Sequence, residues 1–139
     1  MTDRSFVDTN IWVYAVDAAD PAKQARARSI LEPSGNRDLV TSAQVLGEFY
    51  WTVTRKFADR VSESDAREMV DRMARLPVVP IDARLVSEAI AGSREWQVSY
   101  WDALILAAAE TSGCRRLLSE DLSDGRAYRS VTVENPFGG

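Results

Sequence analysis

The chain has 139 residues and a mass of 15.5 kDa, with 45% apolar residues, 27% charged residues and a formal net charge of −4. This composition is typical of one globular domain, which we expect to span residues 1–139, and it excludes a disordered chain. The longest unbroken apolar run, residues 103–109, is too short for a membrane span, and the apolar stretch after Arg4 is too short for a signal-peptide core.

Short apolar strands alternate with longer amphipathic stretches along the chain. The pattern predicts a strand at 5–7, helices at 10–16 and 21–31, a loop at 33–38, a strand at 39–41, helices at 42–57 and 62–74, a strand at 78–81, helices at 82–95 and 100–111, and strands at 116–119 and 130–133. This alternation indicates an α/β fold, a single domain with a short, mainly parallel β-sheet flanked by helices on both faces.

Polar side chains mark where these helices begin. The predicted N-caps are Asn10, Asp20, Ser42, Ser62, Asp82 and Ser99. Pro80 favours an edge position for the strand at 78–81, because proline donates no hydrogen bond to a neighbouring strand. The helix at 100–111 is apolar on every side, which indicates a central position, and Gly113 is expected to end it.

Several residue types needed for catalysis are missing. The sequence has no histidine, which excludes Ser-His-Asp and Cys-His nucleophilic sites and any histidine general base. Its single cysteine, Cys114, forms no internal disulfide and no cysteine cluster for a metal, so we expect a reducing, cytoplasmic location. The only lysines are Lys23 and Lys56. Carboxylates are left as the main chemical groups, and these suit hard cations such as Mg²⁺ or Mn²⁺.

Four carboxylates occupy positions where a site would be expected. Asp8 follows the first predicted strand and Asp121 follows the strand at 116–119, and parallel sheets bind ligands beyond the carboxyl ends of their strands. Asp102 lies in the first turn of the central helix, where free backbone N–H groups favour an anion. Glu48 lies in the first half of the helix at 42–57. All four therefore lie at or near the ends of predicted elements.

Each of these acids also has a purely structural explanation. Asp8 could form a turn and a cap, and Asp102 matches a capping box with Ser99. Asp121 lies in a polar loop where solvated charge is usual. Glu48 points away from the main apolar stripe of its helix. Only the joint pattern favours a functional site.

The residues around the acids carry a family resemblance. The segment FVDTNI around Asp8 resembles the opening motif of PIN-domain ribonucleases, the family of VapC toxins. Glu48 in QVLGEF, Asp102 in YWDALI and Asp121 in LLSEDL resemble the second, third and fourth acidic positions, with Ser119 at the usual hydroxyl position. The closing segment VENPF also fits. The resemblance extends in order over nearly the whole chain.

The resemblance implies a parallel sheet flanked by helices, a bound Mg²⁺ or Mn²⁺ and cleavage of RNA by water that the metal activates. Asp8 and Asp102 are assigned as direct metal ligands, Asp121 as completing the metal set, and Glu48 as a ligand or a water-orienting base. Three further side chains are assigned to orient these carboxylates: Thr9, Asn10 and Ser119. Asn10 alone could instead be only a helix cap. The resemblance also implies a homodimer and a small cognate antitoxin that packs on the early helices.

Some assignments stay open in the sequence. Asp124 competes with Asp121 as the fourth acid, although the Ser119-x-Asp121 spacing favours Asp121, and Glu120 is expected to face solvent. The negative net charge argues against tight binding of duplex DNA and favours single-stranded or loop RNA held by a few arginines. The candidate arginines are Arg126 and Arg129, which follow the fourth acid closely and could also belong to a solvated loop.

Three other functions compete with this interpretation. A phospho-acceptor receiver domain would need a lysine late in the chain, and a DxDxT phosphatase would need a second aspartate at Asn10. A non-catalytic binding module with the same fold stays open.

The chain is also rich in aromatic residues, of which Phe49 and Tyr50 are expected in the core, and Trp12 and Trp51 at an interface.

Overall fold

The computed structural model describes residues 4–32 and 37–138. A six-stranded sheet with the order β3-β2-β1-β4-β6-β5 runs through the molecule, and only β5 and β6 pair antiparallel. The strands are β1 (Arg4–Val7), β2 (Asp38–Ser42), β3 (Val78–Val79), β4 (Arg116–Leu118), β5 (Ala127–Tyr128) and β6 (Val131–Glu134). The helices in these two ranges are α1 (Thr9–Tyr14), α2 (Pro21–Leu31), α3 (Ala43–Lys56), α4 (Glu63–Met73), α5 (Ala83–Trp96) and α6 (Tyr100–Thr111).

Helices cover both faces of the sheet. Successive strand residues point to opposite faces, so Phe6 joins one apolar cluster and Val7 the other. The first cluster contains buried side chains of α3, α4, α5 and α6, and the second contains those of α1 and α2. The predicted α/β fold, with a mainly parallel sheet between two helical layers, is confirmed.

Most of the predicted elements are present within one or two residues. Asp20, Ser42, Ser62 and Asp82 cap their helices as predicted, and β3 lies at the sheet edge as Pro80 indicates. Residues 103–109 of α6 are all buried, which confirms the central position of that helix. Residues 33–36 of the predicted loop lie outside the described residues. Within the described ranges, no helix has the length and hydropathy needed to cross a membrane.

One local prediction is wrong, and one element was missed. Asn10 does not cap α1, because the chain leaves β1 at Val7 and Asp8, in an extended conformation, already caps a helix that begins at Thr9. The hairpin of β5 and β6 was not predicted. It turns at Arg129, whose φ of 56° is in the left-handed region, and nothing in the local composition marks that turn.

Candidate functional site

The four predicted acids line one open cavity of about 660 Å³. Asp8 follows β1 and Asp121 follows β4, and these two strands are paired in parallel at the middle of the sheet. Glu48 reaches the cavity from α3, and Asp102 from the first turn of α6. The parallel sheet therefore brings together carboxylates that lie up to 113 positions apart in the sequence, as the distance from residue 8 to residue 121 shows.

Asp8 is the most buried of the four acids, with 6% of its surface exposed. One carboxylate oxygen accepts the Thr9 backbone N–H at 2.7 Å, and the other accepts the Ser119 hydroxyl at 2.8 Å. Burial raises the pKa of Asp8 from 3.8 to about 6, the two hydrogen bonds oppose this rise, and the nearby charges of Asp121 and Glu48 add to it. The site therefore holds a carboxylate that a cation would strongly stabilise.

Asn10 connects the ends of β1 and β4. Its side-chain Nδ2 donates to Asp121 Oδ2 at 3.0 Å and to Asp8 Oδ2 at 3.4 Å, while its Oδ1 accepts the Glu120 backbone N–H at 3.3 Å. Ser119 makes a similar link, since its Oγ also accepts the Asp121 backbone N–H at 3.1 Å. Both side chains hold the predicted acids in fixed positions relative to each other.

Glu48 is tied to the same network from the α3 side. Its Oε1 accepts the Thr9 hydroxyl at 2.8 Å, and its Oε2 accepts Gln44 Nε2 at 3.4 Å. Gln44 was not identified from the sequence, although it lies one helical turn before Glu48 and so shares its face. Gln44 also donates to the Trp101 carbonyl at 3.2 Å, which links α3 to the start of α6.

Asp102 makes only half of its predicted capping box. Its backbone N–H donates to Ser99 Oγ at 3.1 Å, but its carboxylate has no hydrogen-bond partner in the described part of the chain. The side chain is half-buried and lines the cavity. A cap therefore explains the backbone at this position and leaves the carboxylate available to a ligand.

Glu120 does not face solvent as the sequence suggested. It lines the cavity, accepts the Tyr14 hydroxyl at 2.6 Å and forms an ion pair with Lys23. Hydrogen bonds to Glu120 and Tyr14 raise the pKa of Lys23, so the ammonium group stays charged and balances Glu120. Asp124 lies apart from the four acids, accepting the Asn135 backbone N–H at 2.8 Å beside a different cavity. The geometry favours Asp121 over Asp124 as the fourth acid.

The predicted phosphate-binding arginines are engaged elsewhere. Arg129 forms ion pairs at 3.1 Å with Glu95 and with Glu110, and Arg126 donates to the Trp96 carbonyl at 3.1 Å. Neither arginine lines the acidic cavity. That prediction is wrong, because closeness to Asp121 in sequence is overridden by a hairpin that turns both side chains towards α5 and α6.

The aromatic residues also divide differently from the prediction. Phe49 is buried, but Tyr50 is 37% exposed. Tyr50 lies about 100° around the helix from Phe49, so it falls outside the buried stripe. Trp51 is 60% exposed and lines the acidic cavity, whereas Trp12 is half-buried in a separate apolar groove.

The cavity fits a hard divalent cation in its ligand chemistry. In the described residues, no group of three or more Asp, Glu or Cys side chains is arranged so that it could hold a metal ion by itself. Mg²⁺ does not require one, since it binds one or two carboxylates and completes its octahedron with water and phosphate oxygens. Gln44 also lines this cavity, and its buried Oε1 has no hydrogen-bond partner among the described residues. Four carboxylates therefore supply oxygen ligands of the kind that suits such an ion.

Solved structures with a similar fold include a toxin and a toxin–antitoxin complex. VapC20 of Mycobacterium tuberculosis, described as a toxin that cleaves the sarcin–ricin loop, has 23% sequence identity and a TM-score of 0.64, with 84% of this chain and 89% of that chain covered. A DNA-bound VapBC of Salmonella typhimurium has 18% identity and a TM-score of 0.67, with 98% and 99% covered. A toxin–antitoxin complex of Klebsiella pneumoniae has 16% identity and a TM-score of 0.67, with 95% and 97% covered.

These identities are low, so the similarity establishes the fold alone. No curated protein sequence matches the chain significantly. The family model of the PIN domain, however, matches residues 5–124, a range that includes all four acids of the cavity. Since that match covers most of the sequence, the chain belongs to the PIN domain family.

Proposed function

We propose that the chain is an endoribonuclease that depends on Mg²⁺ or Mn²⁺ and acts as the toxin of a toxin–antitoxin pair in the cytoplasm. One observation carries the proposal: Asp8, Glu48, Asp102 and Asp121, from four separate segments, line one cavity at the carboxyl ends of parallel strands. Membership of the PIN domain family and the VapC-like fold support it.

The chain's own residues would hold the ion and orient the substrate. Asp8 and Asp102 are the proposed direct ligands, and Asp121 and Glu48 complete the set directly or by orienting water. Thr9, Asn10 and Ser119 keep these carboxylates in place through their hydrogen bonds. When bound, a divalent ion activates water for attack and neutralises charge on the phosphodiester.

The test is cleavage of single-stranded RNA with Mg²⁺ and with EDTA. Asp8→Asn and Asp121→Asn should each reduce the cleavage rate at least ~10²-fold, because the lost metal interaction is worth several kcal/mol. Asp124→Asn is the matched control, since it removes a neighbouring carboxylate outside the cavity and should leave the rate unchanged. Cleavage that persists in EDTA would contradict the metal dependence. Complete inactivity of the wild type would favour a non-catalytic binding module.

An apolar groove supports the antitoxin partner. The groove, of about 750 Å³, lies between α1, α2, α3 and α4 and is lined mainly by Trp12, Val16, Leu31, Phe49, Met69 and Met73. Arg28, Arg72 and Arg75 stand along it. We propose that it takes an antitoxin segment with an apolar face and acidic flanks, which agrees with the expected packing on the early helices.

The homodimer stays a prediction, and light scattering can test both the homodimer and the antitoxin partner. Light scattering of the chain alone at ~10 µM should give the mass of a dimer, since a micromolar or tighter dimer is largely formed at that concentration. Adding the product of a neighbouring small reading frame should raise the mass further, and Met69→Glu should prevent that increase by placing charge in the groove. A clean monomer would contradict the dimer.

A further inference from the structure

We propose that Trp51 and Trp101 are stacking platforms for unpaired bases of the strand that the acidic cavity holds. The inference rests on the proposed ribonuclease function and names the form of RNA that the site accepts. Trp51 is 60% exposed and Trp101 is 62% exposed, and both line the cavity that contains the four acids. Trp12 and Trp96, by contrast, are half-buried and buried.

One face of α3 carries an acidic, an aromatic and a basic side chain in that order along the helix. Glu48, Trp51 and Arg55 follow each other at spacings of three and four residues, which places them on one face of the helix. Gly47 lies beside Glu48 on the cavity wall, and open space surrounds the position where a side chain would begin. At Gly47, no side chain therefore stands between a ligand in the cavity and Trp51.

The guanidinium of Arg55 stacks on one face of the Trp51 indole. It lies 3.0 Å from the centre of the Trp51 ring, and its Nη1 donates to the Trp51 carbonyl at 3.3 Å. This contact covers one face of the indole, while the side chain as a whole stays largely exposed. A base stacked on the other face would carry a phosphate close to this cation.

Trp101 lines the same cavity from the first turn of α6. It directly precedes Asp102, and its carbonyl accepts Gln44 Nε2 at 3.2 Å, which fixes the backbone next to Glu48. Tyr100 contacts the Trp101 ring edge-on, with the ring centres 5.0 Å apart. Tyr100 thus supports the indole on one side, and most of the Trp101 side chain stays exposed.

A strand of unpaired nucleotides fits this combination better than a paired helix. Bases in a duplex are already stacked on their neighbours, so only unpaired bases present a free face to an indole. Exposed tryptophans also occur between protein subunits, and a second copy of the chain is therefore the competing occupant. The acids beside both rings favour a ligand that brings phosphates and hard cations, because an apolar interface would bury those charges at a cost.

The experiment measures binding of two strands with equal charge. One is single-stranded oligouridylate of about ten nucleotides, and the other is an abasic ribose–phosphate strand of the same length. Every protein carries Asp8→Asn to suppress cleavage, and binding is followed in Mg²⁺ by tryptophan fluorescence and anisotropy. Trp51→Ala, Trp101→Ala and the two corresponding phenylalanine variants are compared with Ile90→Ala, a control that trims a similarly exposed apolar side chain on α5.

Each tryptophan-to-alanine change should weaken oligouridylate binding by about 5- to 150-fold and leave abasic binding unchanged. The phenylalanine variants should retain most of the affinity, and Ile90→Ala should behave as the parent. Equal affinity of the parent for both strands would overturn the inference. So would alanine variants that only dissociate a dimer in light scattering and leave the preference for bases intact.

The proposed function is judged separately by cleavage with the wild-type protein. Cleavage without a preference for bases would overturn the stacking platforms alone. A preference for bases without any cleavage would support the platforms and overturn the ribonuclease.

Discussion

Asp8 has two roles with opposite effects on the stability of the folded state. Its carboxylate caps α1 through the Thr9 N–H, yet its burial beside Asp121 and Glu48 disfavours the charge. Because the folded pKa of about 6 lies above the ordinary value of 3.8, the folded state binds a proton more tightly than the unfolded state between these values. The stabilisation from this proton is present below about pH 4 and is lost as the pH rises through 6.

We therefore predict that metal-free protein loses stability between pH 4 and pH 7, and that Asp8→Asn removes most of this loss. Asparagine keeps a capping oxygen and carries no charge, so at pH 7 the variant should be more stable than the wild type by on the order of 2–3 kcal/mol. Denaturant unfolding in EDTA at several pH values measures both curves. Asp124→Asn, at an exposed position, is the control, and parallel curves for the wild type and Asp8→Asn would contradict the prediction.

At the scale of elements, strand and helix positions were predictable because periodicity and capping residues are local signals. The start of α1 and the β5–β6 hairpin were not predictable, because each depends on distant contacts. Asp8 was free to cap α1 because the end of β1 is fixed by pairing with β4, and the hairpin is fixed by pairing of β6 with β4. Local patterns contain no information about either pairing.

Replacing each of two helical glycines by alanine should change the stability of the protein in opposite directions. A side-chain carbon added at Gly92 of α5 would overlap the buried Trp96 ring, whereas one added at Gly47 of α3 meets nothing within 4 Å. Gly92→Ala should destabilise the protein by about 1–3 kcal/mol through overpacking, despite alanine's better helix propensity. Gly47→Ala should stabilise it by about 0.5–1 kcal/mol. Thermal or urea unfolding of both variants decides, and equal effects would contradict the packing argument.

At the scale of the whole molecule, the cavity was predictable where the fold alone determines it. Strand-end positions identified Asp8 and Asp121 because the sheet is parallel. The resemblance around Asp8 marked Asn10 as a residue that orients the acids, whereas the link through Gln44 depends on its rotamer, and no sequence pattern marked it. The expected role of Arg129 was wrong because its partners Glu95 and Glu110 lie on helices that precede it by 34 and 19 positions.

The charge distribution predicts a weak salt dependence of RNA binding. Of the cations near the cavity, Lys23 is paired with Glu120 and Lys56 with Asp17, so few are available to phosphates. At ~0.7 per phosphate on a single strand, a few contacts imply a log–log slope of about −2 to −3. Binding of the Asp8→Asn variant over a salt series measures it. A slope steeper than about −6 would indicate a basic groove that the described surface does not show.

The order of the strands also governs when the cavity first exists. The middle strand β1 is made first, but its neighbour β4 and the acid that follows it, Asp121, are added only after the five other helices beyond α1 have been synthesised. A growing chain on the ribosome therefore carries Asp8 without its Ser119 and Asn10–Asp121 connections until residues 119–121 have been added. Any activity that needs all four acids can therefore begin only after Asp121 has been synthesised and β4 has paired with β1.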